Sequence, residues 1–282
     1  MANESSATRR RTRVSVAGWY LLLTGLSLII LFPVWMTIVR ALSEPFIYIE
    51  EGQPLYPVSI DWGVFSTAWS DGDLGRSMAL TLLVTAIITV FQLVTSVLAA
   101  YSFAFVRFPF KNTLFILLLA SLLLPVEVTL IANVRTIREL GWLDSAQGLS
   151  APFLASAFGI FLIRQGFLGV PSELRDAARI DGFGHFAFLR RVAIPVNRPI
   201  IASFTLITAL AAWNQYLWPR TATTQERWET IQVTLRSISV QRPERFNVGV
   251  AAAIIASLPI LALLVVFQRQ IIRGLTAGAV KG

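Results

Sequence analysis

Residues 77–106 read SMALTLLVTAIITVFQLVTSVLAAYSFAFV, thirty consecutive positions without a charged side chain. As an α-helix this run is about 45 Å long, more than the roughly 30 Å hydrocarbon core of a bilayer. Its polar members are not scattered. Thr81, Thr85, Thr89, Gln92 and Ser96 follow one another at helical spacing, which at about 100° per residue confines them to an arc of about 80°. A membrane-spanning helix with one hydroxyl and amide stripe is expected. Such a stripe serves either helix packing or a polar pathway, and Thr85 and Gln92 are its candidate pathway residues.

Five further runs share this character. Residues 14–39, 145–163, 199–219 and 246–268 are charge-free, and 112–134 is interrupted only by Glu127. The whole chain of 282 residues is 55% hydrophobic and 14% charged, with mean hydropathy +0.65, whereas soluble domains carry about 25% charged residues. The expectation is an all-α polytopic membrane protein with six transmembrane helices, at 14–41, 77–106, 112–134, 145–166, 198–219 and 246–268. Arg9, Arg10, Arg11 and Arg13 precede the first run. That run is longer than the roughly 7–15 apolar residues of a signal peptide, so a retained span behind a cytoplasmic basic tail, 1–13, is expected.

Six crossings from a cytoplasmic N-terminus return the tail 269–282 to the cytoplasm. On that topology 15 of the 24 Lys and Arg lie inside and 12 of the 16 Asp and Glu outside, in the sense of the positive-inside rule. The outer loop 220–245, with five arginines, runs against it. The outer segment 42–76 contains Pro45, Pro54 and Pro57 and an aromatic stretch around Trp62, Phe65 and Trp69; it reads as a loop with one amphipathic helix.

Several chemistries lack their parts. The chain has no cysteine and a single histidine, His185, which excludes disulfides, thiolate chemistry and a multi-histidine metal site. No Gly-x-x-x-x-Gly-Lys-Ser/Thr phosphate loop is present, so no ATPase activity or other enzyme function and no cofactor is expected in this chain. The arginines are dispersed among loops, which disfavours nucleic acid as a partner. An ion-coupled secondary transporter is the serious rival, but such proteins usually show inverted repeats or several intramembrane charges, and Glu127 is the only acidic residue in the six runs.

Between the fourth and fifth runs, residues 173–195 read ELRDAARIDGFGHFAFLRRVAIP. The pattern predicts helix, break, helix. Ser172 is the expected N-cap, Glu173 and Asp176 place negative charge in the first turn, and Leu174, Ala177 and Ala178 share a face. Gly182 allows the left-handed turn that ends a helix, and Phe183, Phe186, Phe188 and Leu189 open a second short helix that Pro195 is expected to halt. A hairpin lying on the membrane boundary and a docking element fit this equally.

The stretch 176–195 resembles the cytoplasmic loop of ABC-importer permeases, whose pattern is Glu-Ala-Ala, three residues, Gly, nine residues and Ile-x-Leu-Pro. Asp176, Ala177, Ala178, Gly182 and Pro195 fall on it, with Asp for Glu and Phe183 where Ala commonly follows the Gly. The tail 268–282 is similar to that of the carbohydrate-importer permeases of the maltose-importer type. The resemblance covers roughly 78–282. It implies that the loop 167–197 is a coupling element, with Glu173, Asp176, Ala177, Ala178, Asp181, Gly182 and Pro195 serving a separate ATPase subunit that binds ATP and Mg. It also implies a heterodimer with a second homologous permease, two ATPase subunits, an extracytoplasmic solute-binding protein and a place in the bacterial cytoplasmic membrane.

Two further strings concern the pathway. Leu-Pro-Val-Glu at 124–127 puts a carboxylate beside a helix-breaking proline, with a structural ion pair to Arg135 or Arg138 as the alternative role of Glu127. Trp-Asn-Gln-Tyr-Leu-Trp-Pro at 213–219 offers amides and aromatic faces suited to a polyol, through Trp213, Asn214, Gln215 and Trp218; an interface belt of indoles is the alternative. Both strings resemble the glycerol-3-phosphate branch of the family, which implies transport of sn-glycerol 3-phosphate or a glycerophosphodiester, with a neutral mono- or oligosaccharide as the alternative. Arg135, Arg220 and Arg227 are the cations that could favour a phosphate.

Overall fold

The computed structural model describes the backbone of residues 2–279 and the side chains of 18–125 and 127–268. Among them the regular structure is entirely helical. In order the α-helices are α1 Ala2–Leu42, α2 Pro45–Glu50, α3 Val64–Asp71, α4 Leu74–Phe105, α5 Lys111–Ala120, α6 Val126–Glu139, α7 Ala146–Ser150, α8 Ala157–Leu168, α9 Ser172–Ile180, α10 His185–Phe188, α11 Ile194–Val196, α12 Arg198–Trp213, α13 Leu217–Ala222, α14 Ile231–Gln241 and α15 Phe246–Ala279. Three helical stretches are long and apolar enough to cross a bilayer, Gly18–Leu42, Leu74–Phe105 and Pro243–Gln268, and the number rises to six if each of three bent pairs is one span.

The bends mark where the expected straight spans differ from the observed ones. The run 112–134 is two helices, α5 and α6, set at 99°. Pro125 is extended (φ −60°, ψ 137°) and begins α6 as its N-cap, because its ring restricts the residue before it and it has no N–H to continue a ladder. Residues 145–166 are α7 and α8, bent by 49°. The run 198–219 is not one helix either: α12 ends at Trp213 and the chain unwinds over 214–216 before α13.

The chain divides into two compact units, 1–72 with 238–255, and 73–237 with 256–282. In the first, the stretch of α1 from Gly18 onward is apolar, with Leu21, Ile29 and Ile30 exposed, as a lipid-facing helix requires. Its C-terminal end anchors the following segment. Tyr48 and Val58 pack with Val39 and Phe246, and the Ser43 hydroxyl accepts from the Val58 N–H. Sequence reading expected one helix here and the structure has two. The one it missed, α2, starts where the Glu44 carboxylate accepts the Ile47 N–H at 2.8 Å, with Pro45 at the first position, a favoured helix start.

The second unit is organised around α4, against which α8 and α12 pack. Their approach depends on Gly159 of α8: a Cβ there would lie 2.2 Å from the Phe204 ring and 2.5 Å from the Ser96 hydroxyl. Small residues at such crossings let backbones come close where lipid supplies no hydrophobic drive. One core at the end of α4 gathers Tyr101, Phe167, Ala178, Phe188, Leu189 and Phe204. Another gathers Val84, Ile88, Ile137, Leu149, Ala212 and Trp218.

Candidate functional site

The hairpin that follows α8 is built from the end of α4 outward. Ala178 is the buried member of α9 and sits in the first core beside Tyr101 and Phe188. Glu173, Asp176, Ala177 and Ile180 are all exposed and fall within an arc of about 100° on the other side of the helix. Ile180 is 88% exposed. The outward arc of α9 thus carries one exposed apolar side chain, Ile180, beside the carboxylates of Glu173 and Asp176.

Gly182 closes α9. Its φ is 72°, its N–H donates to the Arg179 carbonyl at 3.1 Å, and the Phe183 N–H donates to the Ala178 carbonyl at 2.8 Å. This pair of bonds is the Schellman arrangement, with glycine in the left-handed position and Asp181 as the C-cap. Two expectations fail locally. Ser172 is not the N-cap: Pro171 holds that position without a side-chain bond, and Ser172 is the first helical residue. Pro195 does not halt the second helix. A π-helical segment, Leu189–Ala193, precedes it, with the Ile194 N–H donating to the Leu189 carbonyl. That wider turn shifts the ladder where Pro195 withdraws a donor, and the chain continues to Asn197 before an 81° bend into α12. At this bend Asn197 is buried, donates to the Ala193 carbonyl at 2.9 Å and packs on Gly166, where a Cβ would meet its Oδ1 at 2.5 Å.

Three features of this region were not singled out in the sequence. The Tyr101 hydroxyl and His185 Nδ1 are 2.9 Å apart and tie α4 to α10. Lys111 Nζ donates to the Val106 carbonyl at 3.0 Å, and Arg164 Nε to the Phe103 carbonyl at 3.2 Å with its guanidinium over the Phe115 ring. Both cations satisfy carbonyls at the C-terminal end of α4, where cations are favoured. Their signal in the sequence is the placement of basic residues just beyond a charge-free run.

The polar stripe of α4 is a packing seam over much of its length. Gln92 donates to the Phe153 carbonyl at 2.7 Å and accepts from the Thr208 hydroxyl at 3.3 Å, so it clamps α4 to the α7–α8 bend and to α12. Thr81 accepts from the Ile231 N–H at 2.8 Å and starts α14. The buried hydroxyls of Thr85, Thr89 and Ser96 have no hydrogen-bond partner among the described residues.

The aromatic string divides. Trp213 and Trp218 are buried, and Trp218 Nε1 lies 3.2 Å from the carbonyls of Gly148 and Leu149 with its ring edge-on to Phe153. The two indoles therefore brace α12 and α13. Asn214 is exposed, donates to the Leu210 carbonyl and accepts from Gln232 at 3.2 Å; Gln215 is half-buried and its Oε1 has no partner among the described residues. These amides sit in the unwound turn between the helices. Glu127 is exposed in the first turn of α6, and Arg135 pairs with Glu139 at 2.8 Å instead of with it.

The arginine-rich segment 220–245 meets acids locally. Arg227 lies near Asp144 and Arg220 near Glu229, and Arg242 pairs with Asp71. Asp144 accepts from the Thr224 and Gln225 N–H groups at 2.7 and 3.0 Å and from the Thr224 hydroxyl. Partial burial works to raise its pKa, but these hydrogen bonds and Arg227 outweigh it and hold the carboxyl below the ordinary range. Burial raises the Glu229 carboxyl despite Arg220, with Glu226 adding to the effect.

Three apolar helices long enough to cross a bilayer, rising to six spans if each bent pair counts as one, are the mark of a multi-pass membrane protein. Residues 92–277 match the family described as binding-protein-dependent transport system inner membrane component, and the chain belongs to that family. It is 34% identical to the sn-glycerol-3-phosphate transport system permease protein UgpE of Rhizobium meliloti (strain 1021), over 94% of this chain and 97% of that one. Identity to the same-named protein of Pectobacterium atrosepticum is 32%, again over 94% and 97%. In fold it is similar to a bacterial ABC transporter involved in import of the acidic polysaccharide alginate, with TM-score 0.77 and 24% identity over 91% of this chain and 96% of that one. The alginate transporter in complex with its pentasaccharide-bound periplasmic protein gives TM-score 0.62 and 15% identity over 90% and 94%. The tail similarity at 268–282 falls largely outside the described side chains.

Proposed function

We propose that this chain is the permease subunit of an ABC importer that brings sn-glycerol 3-phosphate, or a glycerophosphodiester, into the cytoplasm. The observation that carries the coupling role is α9: a helix fixed by Ala178 and closed at Gly182, with Glu173, Asp176, Ala177 and Ile180 facing out. Such a surface needs a partner, and in this reading the partner is a separate ATPase subunit that binds ATP and Mg. Two ATPases sit under a heterodimer of this chain and a second permease, and a solute-binding protein delivers substrate from outside. Both termini and the 172–196 hairpin lie in the cytoplasm, which follows the distribution of arginines. Hydrolysis belongs to the partner.

Closure of the ATPases moves α9, and the rigid core around Tyr101, Phe167 and Phe188 passes that motion to α4 and α8. In this reading Glu127, Asn214 and Gln215, which lie at the breaks at Pro125 and 214–216, serve the pathway, since irregular backbone within a span is tolerated where it lines a cavity. The relatives' printed names and the two strings at 124–127 and 213–219 support the substrate. The test is uptake by vesicles containing the assembled importer and its binding protein. Labelled sn-glycerol 3-phosphate is expected to accumulate with ATP on the ATPase side and to be diluted out by unlabelled glycerophosphodiester; competition by a neutral disaccharide alone would overturn the substrate assignment.

A further inference from the structure

Behind α9, on the side away from Glu173, Asp176 and Ile180, lies a cavity of about 210 Å³. Arg175 and Arg179 of α9, His185 of α10, and Tyr101 and Phe105 from the last turns of α4 line it, together with Phe183. We infer that this cavity binds the phosphate of a membrane lipid. The inference rests on the reading of α4 as a membrane span and adds a lipid contact to the proposed coupling hairpin.

Four observations converge. Neither Arg175 nor Arg179 is in an ion pair among the described residues, and no carboxylate lines the cavity. Two unpaired guanidinium forks one helical turn apart suit a phosphate, which accepts several charge-assisted bonds at once. The Tyr101 hydroxyl and His185 Nδ1 are 2.9 Å apart, and in the tautomer where the hydroxyl donates, Nε2 carries the proton and is a third donor. The remaining wall is largely aromatic, with Phe183 and Phe188 from the hairpin and Tyr101 and Phe105 from the end of a 32-residue apolar helix, the depth at which headgroups meet protein and where aromatic residues gather. A soluble anion would have no use for that apolar wall, whereas a lipid's glycerol and first acyl carbons do. The arc of α9 that faces this cavity is opposite the arc offered to the ATPase, so both contacts can exist together and a bound lipid would stiffen the base of the hairpin.

The probe is phosphatidylglycerol retained by the purified full chain after exchange from vesicles of phosphatidylglycerol and phosphatidylcholine, counted by native mass spectrometry. Two surface cations at about 1 kcal/mol each correspond to roughly 30-fold weaker lipid binding in an Arg175→Gln/Arg179→Gln chain. Arg190→Gln, at an exposed arginine of the same hairpin outside the cavity, is expected to retain lipid as the unaltered chain does. Equal retention by the double variant would overturn the site. Displacement of the lipid by inorganic phosphate would overturn the lipid as occupant, and so would finding an acidic protein segment in its place. Retention is measured without ATPase subunits or transport, so failure here leaves the coupling role standing, and failure of that role leaves this result readable.

Discussion

A Gly182→Val chain is expected to reach the membrane in normal amount, assemble, and transport at a small fraction of the unaltered rate. The reason is backbone geometry. Gly182 sits at φ 72°, where a β-branched residue is disfavoured by about 1–2 kcal/mol. Among the described residues nothing lies within 4 Å of a Cβ built there, so the penalty is not a clash and the rest of the fold has no reason to fail. Relief comes from opening the turn, which breaks the bonds from Gly182 and Phe183 back to Arg179 and Ala178 and re-aims Asp176 and Ile180. The population holding the docked geometry falls roughly 5- to 30-fold. ATP hydrolysis by the assembled importer is expected to lose its dependence on loaded binding protein. Gly182→Asn, which tolerates the left-handed region, is expected to recover most of the uptake. Unimpaired uptake by Gly182→Val would contradict the docking role.

Gly159→Leu is expected to remove the folded protein altogether. At this crossing the Cβ alone would stand 2.2 Å from Phe204 and 2.5 Å from Ser96, and both neighbours are buried, Phe204 at 1% exposure and Ser96 at 0%. The helices cannot separate without undoing the clamp of Gln92 on Phe153 and Thr208. Overpacking a tight core costs about 1–3 kcal/mol and more where neighbours cannot move, and a Leu whose Cβ alone overlaps two buried neighbours takes a large share of a margin of about 5–15 kcal/mol. Abundance after membrane extraction and thermal unfolding in detergent measure the effect. Gly159→Ala is expected to fold with a lowered Tm, and adding Phe204→Leu to it to restore part of the loss, because the two positions share one volume. A Gly159→Leu protein as stable as the original would show that α4, α8 and α12 do not meet as described.

The apolar runs were legible because bilayer thickness imposes a length on any charge-poor run; three stand as single long helices, and the count reaches six if each bent pair is one span. What the run lengths could not show is where a span is interrupted. The break at Pro125 had a visible cause. The unwinding at 214–216 was less plain, since Asn214 and Gln215 are tolerable in a helix, although Pro219 has no N–H for the carbonyl of Gln215; in the structure Asn214 accepts from Gln232 there. The close of α9 at Gly182 was legible because one residue type suits the left-handed position. Pro195 misled, because a π segment upstream absorbs a defect that in isolation ends a helix.

Pathway candidates were harder still. Gln92 and Trp218 carry the polar groups that a substrate would need, and so do residues that tie helices together; only the partners of their atoms separate the two. Both are spent on backbone carbonyls, while Glu127 and Gln215 stand in broken segments. Pairs distant in sequence, such as Asp144 with 224–225 or Tyr101 with His185, leave no local periodicity and became visible only with the fold.

The outward face of α9 is proposed to dock on a separate ATP-hydrolysing subunit. The chain has no native cysteine, so a single Ile180→Cys substitution places one reactive thiol on that face, and Ile131→Cys, at an equally exposed position of α6, serves as the reference. In membranes containing the assembled importer, a short crosslinker is expected to join position 180 to the ATPase subunit, with a yield that changes when ATP is added, and to leave position 131 unjoined to it. No crosslink from position 180, together with ion-gradient-driven uptake by this chain alone, would contradict that docking.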